Sequence, residues 1–231
     1  NDTCVVDFAN NQYKNNGTAV GMDLTNTNFS GPTNSSDIDL DYAKFGGAFK
    51  FDGVDDYVYI GTDDSLNRTG NFTISAWVNV EGFGSAMSII SRGSSSNGWN
   101  QNDNQYLLVI DGRVTRLRAQ LQIGNDTNRD EVGNTIGSTP TNEWHHIVCG
   151  TNSSHLYCYI DGTIDGLTAR TVFTTSAETN TYIGSGSTTI GFFNGTIDEV
   201  MFFNRSLSDD EINDLYRLGE GKYFWKVNVT T

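Results

Sequence analysis

Along most of this chain apolar residues recur at every second position, the period of a strand with one buried face. The clearest case is FTISAWVNV, Phe72–Val80. It sets Phe72, Ile74, Ala76, Val78 and Val80 on one face and Thr73, Ser75, Trp77 and Asn79 on the other. YLLVIDGRVTRLRAQLQIG reads as strand, turn at Asp111-Gly112, strand, and LYCYIDGTIDG repeats the device at Asp161-Gly162. Asp-Gly permits positive φ at both central positions, so it suits a two-residue hairpin turn. ETNTYIGSG and FFNGTIDEVMFFNRSLS supply further strands. FKFDGVDDYVYIG, residues 49–61, also reads as strand but carries Asp52, Asp55 and Asp56 in its middle. Unpaired carboxylates are costly on a half-buried sheet. A turn at Asp52-Gly53 accounts for the first of them, since Asp and Gly tolerate left-handed backbone. It does not account for Asp55 and Asp56.

One stretch changes period. SLSDDEINDLYRLGEG has Ser208 as N-cap with Glu211 three residues on, the spacing of a capping box. Asp209 and Asp210 fall in the first turn, where the helix dipole favours negative charge. Ile212, Leu215, Tyr216 and Leu218 form one apolar stripe, and Gly219 can end the helix. These acids therefore read as structural. After the helix, KYFWKVNVTT returns to alternation, with Tyr223, Trp225, Val227 and Val229 opposite Lys226 and Asn228. Residues 1–219 thus read as one domain. Residues 220–231 read as a C-terminal strand that pairs back on its own domain, opens a following module, or adds to a neighbouring subunit.

Composition refines this all-β picture. A chain of 231 residues with 36% hydrophobic and 12% aromatic residues has one core inside a very polar shell. A net charge of −14 argues against nucleic acid and against an anionic membrane surface, and is compatible with cation binding. No apolar run approaches membrane-spanning length. Asn-x-Ser/Thr occurs at Asn1, Asn16, Asn28, Asn34, Asn67, Asn71, Asn125, Asn152, Asn194, Asn204 and Asn228. Chance would supply roughly five in a chain so rich in Asn, Ser and Thr, so eleven favour a glycosylated, extracellular surface. Cys149 and Cys158 flank the polar turn Asn152-Ser153-Ser154-His155. If they face each other across a hairpin, their Cα atoms fall within disulfide reach, and two buried free thiols are the alternative. Cys4 is then left over, free or bonded to another chain.

The ordered set GGAFKFDGVDDYVYIG, NFTISAWVNVEG, SIISRGSSSNGW, YLLVIDGRVTRLRAQL, EWHHIVCGTNSSHLYCYIDGT, YIGSG and FNGTIDEVMFFNRSLSDDEINDLYRLG resembles a laminin-G-like jelly-roll domain of the concanavalin A-like superfamily. The resemblance covers the chain from about Asp2 to Gly219. It implies two antiparallel sheets packed face to face, one of them concave, with the first and last strands adjacent. It also implies an extracellular module that binds glycans or proteins, often beside a Ca²⁺. In related jelly rolls a structural Ca²⁺ joins the N-terminal strand, the loop after an early strand, and an acid on the final strand. The matching positions are Asp7, Gly53 with Asp55, and Asp198. Related glycoside hydrolases carry alternating acids on one strand, which puts both carboxylates on one face. Here Asp55-Asp56 and Asp130-Glu131 are adjacent, so on a strand they point to opposite faces, and no catalytic activity is implied. Of the adjacent pair His145-His146, the second histidine reads as a satisfied core residue.

For ligand recognition the candidates lie in SRGSSSNGWNQNDNQY, where Trp99 sits in a long polar loop. An indole face stacks on sugar rings, and Arg92, Asn100, Asn102 and Asp103 can hydrogen-bond hydroxyls. The rival reading folds Trp99 back over the sheet rim. Trp77, opposite in parity to the core face of its strand, lines the concave face or lies under a loop. Two functions follow as expectations: a recognition module for glycans or surface proteins, or a structural subunit joined to copies of itself in a filament or coat.

Overall fold

The computed structural model describes residues 43–45, 48–62, 66–67, 69–82, 86–93, 106–111, 119–125, 128–133, 142–172, 180–187 and 190–221, and the backbone alone of 3–5, 18–20 and 38–39. Fifteen strands are formed among them. In chain order they are β1 (Thr3–Val5), β2 (Thr18–Val20), β3 (Ile38–Asp39), β4 (Ala48–Asp52), β5 (Tyr57–Gly61), β6 (Phe72–Val80), β7 (Ala86–Arg92), β8 (Tyr106–Asp111), β9 (Ala119–Asn125), β10 (Asn128–Val132), β11 (Trp144–Thr151), β12 (His155–Ile160), β13 (Thr163–Ala169), β14 (Thr181–Ile183) and β15 (Asn194–Phe203). One helix, α1, spans Asp209–Gly219.

The strands make two antiparallel sheets, a jelly-roll sandwich. The first runs β13-β12-β11-β6-β15-β4-β3, with β1 also paired to β15, and the second runs β10-β9-β8-β7-β14-β5-β2. Opening and closing strands are adjacent: Thr3 pairs with Phe203, while Asn194 to Ile197 pair with Asp52 to Phe49. The run 49–61 is therefore not one strand or one hairpin. β4 lies in the first sheet and β5 in the second, and the acidic stretch between them carries the chain across. Between the sheets, Phe51, Phe72, Ile74, Val78, Ile89, Tyr106, Leu108, Leu121, Ile147, Ile183 and Phe202 form a common core. The Asp161-Gly162 turn has φ of 51° and 73°, the left-handed pair that Asp-Gly allows. Cys149 and Cys158 are directly opposed on β11 and β12, with Cα atoms 4.1 Å apart and a disulfide between them. No helix among the described residues is long and apolar enough to cross a membrane.

Helix α1 begins as its residues dictate. The Ser208 side chain accepts from the Glu211 N–H, and the Glu211 carboxylate accepts from the Ser208 N–H at 2.9 Å. Arg205 first, and then that N–H, hold the exposed Glu211 carboxyl down to about 2. The apolar stripe covers the outer face of the first sheet. There Ile212, with Leu215 at its margin, packs on Val148, Tyr157, Tyr159, Phe203 and Leu207 in a second cluster. Trp77, 2% exposed, lies neither on an open concave face nor under a loop: it is beneath this helix. Its ring stacks against His146 (centroids 5.0 Å apart) and Tyr216 (5.9 Å), and Lys44 Nζ sits 4.0 Å above it while pairing with Glu220 at 3.0 Å. Gly219 closes on the same indole so tightly that a Cβ would collide with Cζ2 of Trp77.

His146 is part of this seal. Its Nε2 is 2.8 Å from Ser75 Oγ, and its backbone N–H donates to Asp161 Oδ1. Asp161 Oδ2 also holds His145 Nδ1 at 2.7 Å, so the hairpin turn organises both histidines. Burial is the main cause that pushes the His146 imidazole down from 6.5 to about 4; Asp161 pulls it up, and Lys44 pushes it further down.

Two outcomes follow from the seal. Gly219→Ala should lower the unfolding free energy by about 2 kcal/mol, read by urea denaturation, because the added methyl overpacks Trp77. Gly70→Ala, which would meet nothing within 4 Å, should cost far less. Because the folded pKa of His146 lies below its unfolded value, the stability from its neutral ring is complete above pH 6.5 and is lost as the pH falls through about 4. Between pH 7 and pH 4 the parent should therefore lose about 3 kcal/mol more stability than His146→Phe, and equal losses would contradict this burial.

Candidate functional site

With α1 on one outer face, the outer face of the second sheet is the remaining broad strand surface. Cross-strand registers align Tyr59, Tyr182, Ser91, Leu107, Gln122 and Glu131 in one row across β5, β14, β7, β8, β9 and β10. Each is out of phase with the core residues of its strand, so the row faces away from the sandwich interior. At one end three tyrosines meet: Tyr182 is 5.6 Å from Tyr57 and 5.5 Å from Tyr59, centroid to centroid. Tyr59 Oη donates to Asn180 Oδ1 at 3.1 Å. At the other end are the amides of Gln120 and Gln122 and the Arg129–Glu131 pair, 3.6 Å apart. Tyr57 and Tyr59 are half-buried and Glu131 is exposed, whereas the middle of the row is covered. Gln120 Oε1 is buried on this face without a hydrogen-bond partner among the described residues. Aromatic faces beside amides and carboxylates can stack on and hydrogen-bond a polyhydroxylated ligand.

Arg92 is not on this face. A bulge between Ser88 and Ile90 shifts the phase of β7, so Arg92 turns inward and is fully buried. Its guanidinium donates to Thr181 Oγ1 at 2.7 Å and to the Thr62 carbonyl. The expectation of an exposed ligand-binding Arg92 is thereby corrected: it closes one end of the core. Trp99, Asn100, Asn102 and Asp103 lie outside the described residues. The connection that carries them leaves β7 at Gly93, whose N–H donates to the Asn180 carbonyl, beside the tyrosine end of the row.

The acidic positions separate into two groups. Asp198, 3% exposed, accepts the Phe45 N–H on Oδ2 and the Glu199 N–H on Oδ1, each at 2.8 Å. Glu199 has a φ of 48°, rare for this residue, at the bulge where β15 changes register. Gly53 is at the other end of β4, packed against Asn194, about 13 Å along β15 from Asp198. Asp198 and the Gly53 turn are therefore not brought together as one ligand set, and Asp7 lies outside the described residues. The acids that do converge are Asp52, Asp55 and Asp56, each with an oxygen within 4.8 Å of the others. Asp52 Oδ1 accepts from the Val54 and Asp55 N–H groups, and Asp56 Oδ2 accepts from the Asp52 N–H. Three close carboxylates in an irregular turn fit a hard cation such as Ca²⁺, which takes several oxygen ligands from just such segments. The family resemblance points to Asp55 but not to Asp52, which reads as a turn residue, nor to Asp56, which the turn leaves unexplained.

Asp130 is architectural. Asp130 accepts from the Thr171 and Val172 N–H groups and from Thr171 Oγ1. Burial alone would raise its pKa, but these bonds and the nearby Arg170 outweigh that and hold it below 3.8. Glu131 points to the opposite face, so the two form no catalytic pair. Of the described sequons, Asn71 and Asn204 are exposed and Asn67, Asn152 and Asn194 half-buried. Asn152 Oδ1 caps its own turn by accepting from the Ser154 and His155 N–H groups. The side chains of Asn1, Asn16, Asn28, Asn34, Asn125 and Asn228 lie outside the described residues.

Comparison with known proteins bears on this geometry. No curated protein matches the chain in sequence. Among solved structures, domain 4 of an extracellular GH43 arabinanase from Geobacillus stearothermophilus, in complex with arabinotriose, is similar with a TM-score of 0.65 and 19% identity over 87% of each chain. The CBM40 of a Ruminococcus gnavus sialidase, bound to α2,3-sialyllactose, has a TM-score of 0.61 and 14% identity over 73% of this chain and 96% of that one. The binding domain of botulinum neurotoxin DC, in complex with rat synaptotagmin II, has a TM-score of 0.59 and 16% identity over 79% of this chain. The chain spans 45% of that toxin domain. At such identities the likeness establishes the fold alone. The laminin-G profile described as the concanavalin A-like lectin/glucanases superfamily matches residues 52–213. The chain belongs to that family.

Proposed function

We propose that this chain is a non-catalytic recognition module of an extracellular, N-glycosylated protein, and that it binds a glycan on the outer face of its second sheet. The observation that carries the reading is the cross-strand row itself. It joins a three-tyrosine cluster to buried amides on the sheet face opposite α1, and beside it Gln120 Oε1 is buried without a hydrogen-bond partner among the described residues. The arabinotriose and sialyllactose held by the two carbohydrate-bound neighbours support a sugar as ligand, and the toxin domain's protein receptor keeps a protein surface as the second class. A filament or coat subunit joined through terminal strands has less behind it, because β1 is already paired to β15 of its own chain.

A structural Ca²⁺ belongs to the same proposal. Asp52, Asp55 and Asp56 would hold it, and it would stiffen the crossing between the sheets.

Two experiments check these readings. On a glycan panel that includes arabino-oligosaccharides and sialylated oligosaccharides, the chain should bind at least one class. Tyr59→Ala and Gln122→Ala should each weaken that binding at least tenfold; binding unchanged in both would refute the assigned face. Adding Ca²⁺ should raise the melting temperature of the parent and of Asp198→Asn but not of Asp55→Asn. A response that disappears in Asp198→Asn instead would return the ion to the last strand.

A further inference from the structure

Beside the Trp77 seal the outer face of the first sheet is not fully closed. A cleft of about 160 Å³ lies between α1 and β15. Strand parity turns Ser75 and Trp77 outward from β6, and with His146 they make its floor, all three nearly fully buried. Met201 and Leu215 stand in its walls. At its mouth Phe45 and Leu218 remain 38% and 44% exposed, two of the five large apolar side chains left open among the described residues. Pockets for larger ligands start near about 300 Å³, whereas an apolar cavity of about 150 Å³ holds a single benzene ring. The cleft therefore has room for one ring and no more.

The floor carries an underused polar pair. Ser75 Oγ and His146 Nε2 share one hydrogen bond at 2.8 Å, and Nδ1 of the same ring, 1% exposed, has no partner among the described residues. A hydroxyl can donate once and accept twice, so Ser75 retains capacity beyond that bond. Where Nε2–H donates to Oγ, Ser75 has its own hydrogen left to give. Where Ser75 donates to Nε2, it has lone pairs left to accept. A ligand hydroxyl answers both cases, whereas a carbonyl answers only the first. A sugar is excluded, because its other hydroxyls would lie unpaired against Met201, Leu215 and Leu218. Charge is disfavoured in either sign. Glu199 lines the cleft and repels an anion, while Lys44 Nζ, 4.0 Å above Trp77 and already paired with Glu220, repels a cation. Trp77 and Phe45 favour an aromatic ring, since rings in contact gain beyond the area they bury.

We infer that the cleft between α1 and β15 is a second ligand site, separate from the glycan face, for a neutral single-ring aromatic alcohol. The ring lies against Trp77 between Met201 and Leu215, and the hydroxyl meets Ser75 Oγ. The tyrosine row is on the other sheet, so the two sites fill independently.

Phenol is the probe, with benzene and benzoate as controls, each titrated into the full chain and read by calorimetry and by the side-chain ¹⁵N resonances of His146. Phenol should bind saturably, at least tenfold more tightly than benzene, and should shift those resonances; benzoate should not bind. Ser75→Ala should bring phenol down to the level of benzene. Met201→Phe, which fills the cleft from its wall, should abolish the binding of both, and it decides the matter if Ser75→Ala does not fold. Tyr59→Ala should leave phenol binding unchanged, which keeps this site distinct from the glycan face. The inference is overturned by phenol that does not bind, that binds no better than benzene or benzoate, or that leaves the His146 resonances unmoved. Phenol affinity that survives Met201→Phe, or that falls in Tyr59→Ala, overturns it equally.

Discussion

Trp77 sits on the outward face of a central strand, where an indole cannot stay in water at no cost, and α1 is the lid that removes it. Burying an aromatic of this size is among the larger single contributions to such a fold. The lid closes only because residue 219 has no side chain, and Lys44 and Glu220 then fix its edge by charge. One consequence is functional. A two-sheet sandwich has two outer faces, and the helix takes one of them, so the glycan site proposed above is on the other. The same seal leaves a small cleft between α1 and β15, with Ser75, Trp77 and His146 at its floor.

Acidic side chains elsewhere in the molecule hold backbone in place. Asp198 pins both the entry to β4 and the left-handed Glu199 at the bulge of β15. Asp161 ties a hairpin turn to two histidines, and Asp130 secures the chain after β13. The trio at 52–56 serves the crossing between sheets. In each case a carboxylate accepts backbone N–H groups, so these acids serve the backbone.

Much of this architecture is legible from residue order. The period-two pattern of 72–80 sets β6 to the residue, Asp161-Gly162 forms its hairpin turn, and Ser208 with Glu211 caps the helix as their spacing demands. Other features escape because they depend on partners far along the chain. Periodicity does not say which sheet a strand joins, so 49–61 reads as one element although it divides between two. Parity places Trp77 outside the core but cannot tell a helix from a loop above it. A single bulge reverses the phase of β7 and hides Arg92, and bulges leave little trace in one sequence. The row from Tyr59 to Glu131 draws one residue from each of six strands, and only the registers of five pairings reveal it.

The most direct test of the central claim is a crystal structure of the full chain with an oligosaccharide it binds. The account predicts sugar density over Tyr59, Tyr182 and Gln122, with α1 still closed on Trp77. Density confined to the α1 side of the sandwich, or at its rim with the tyrosine row untouched, would contradict it.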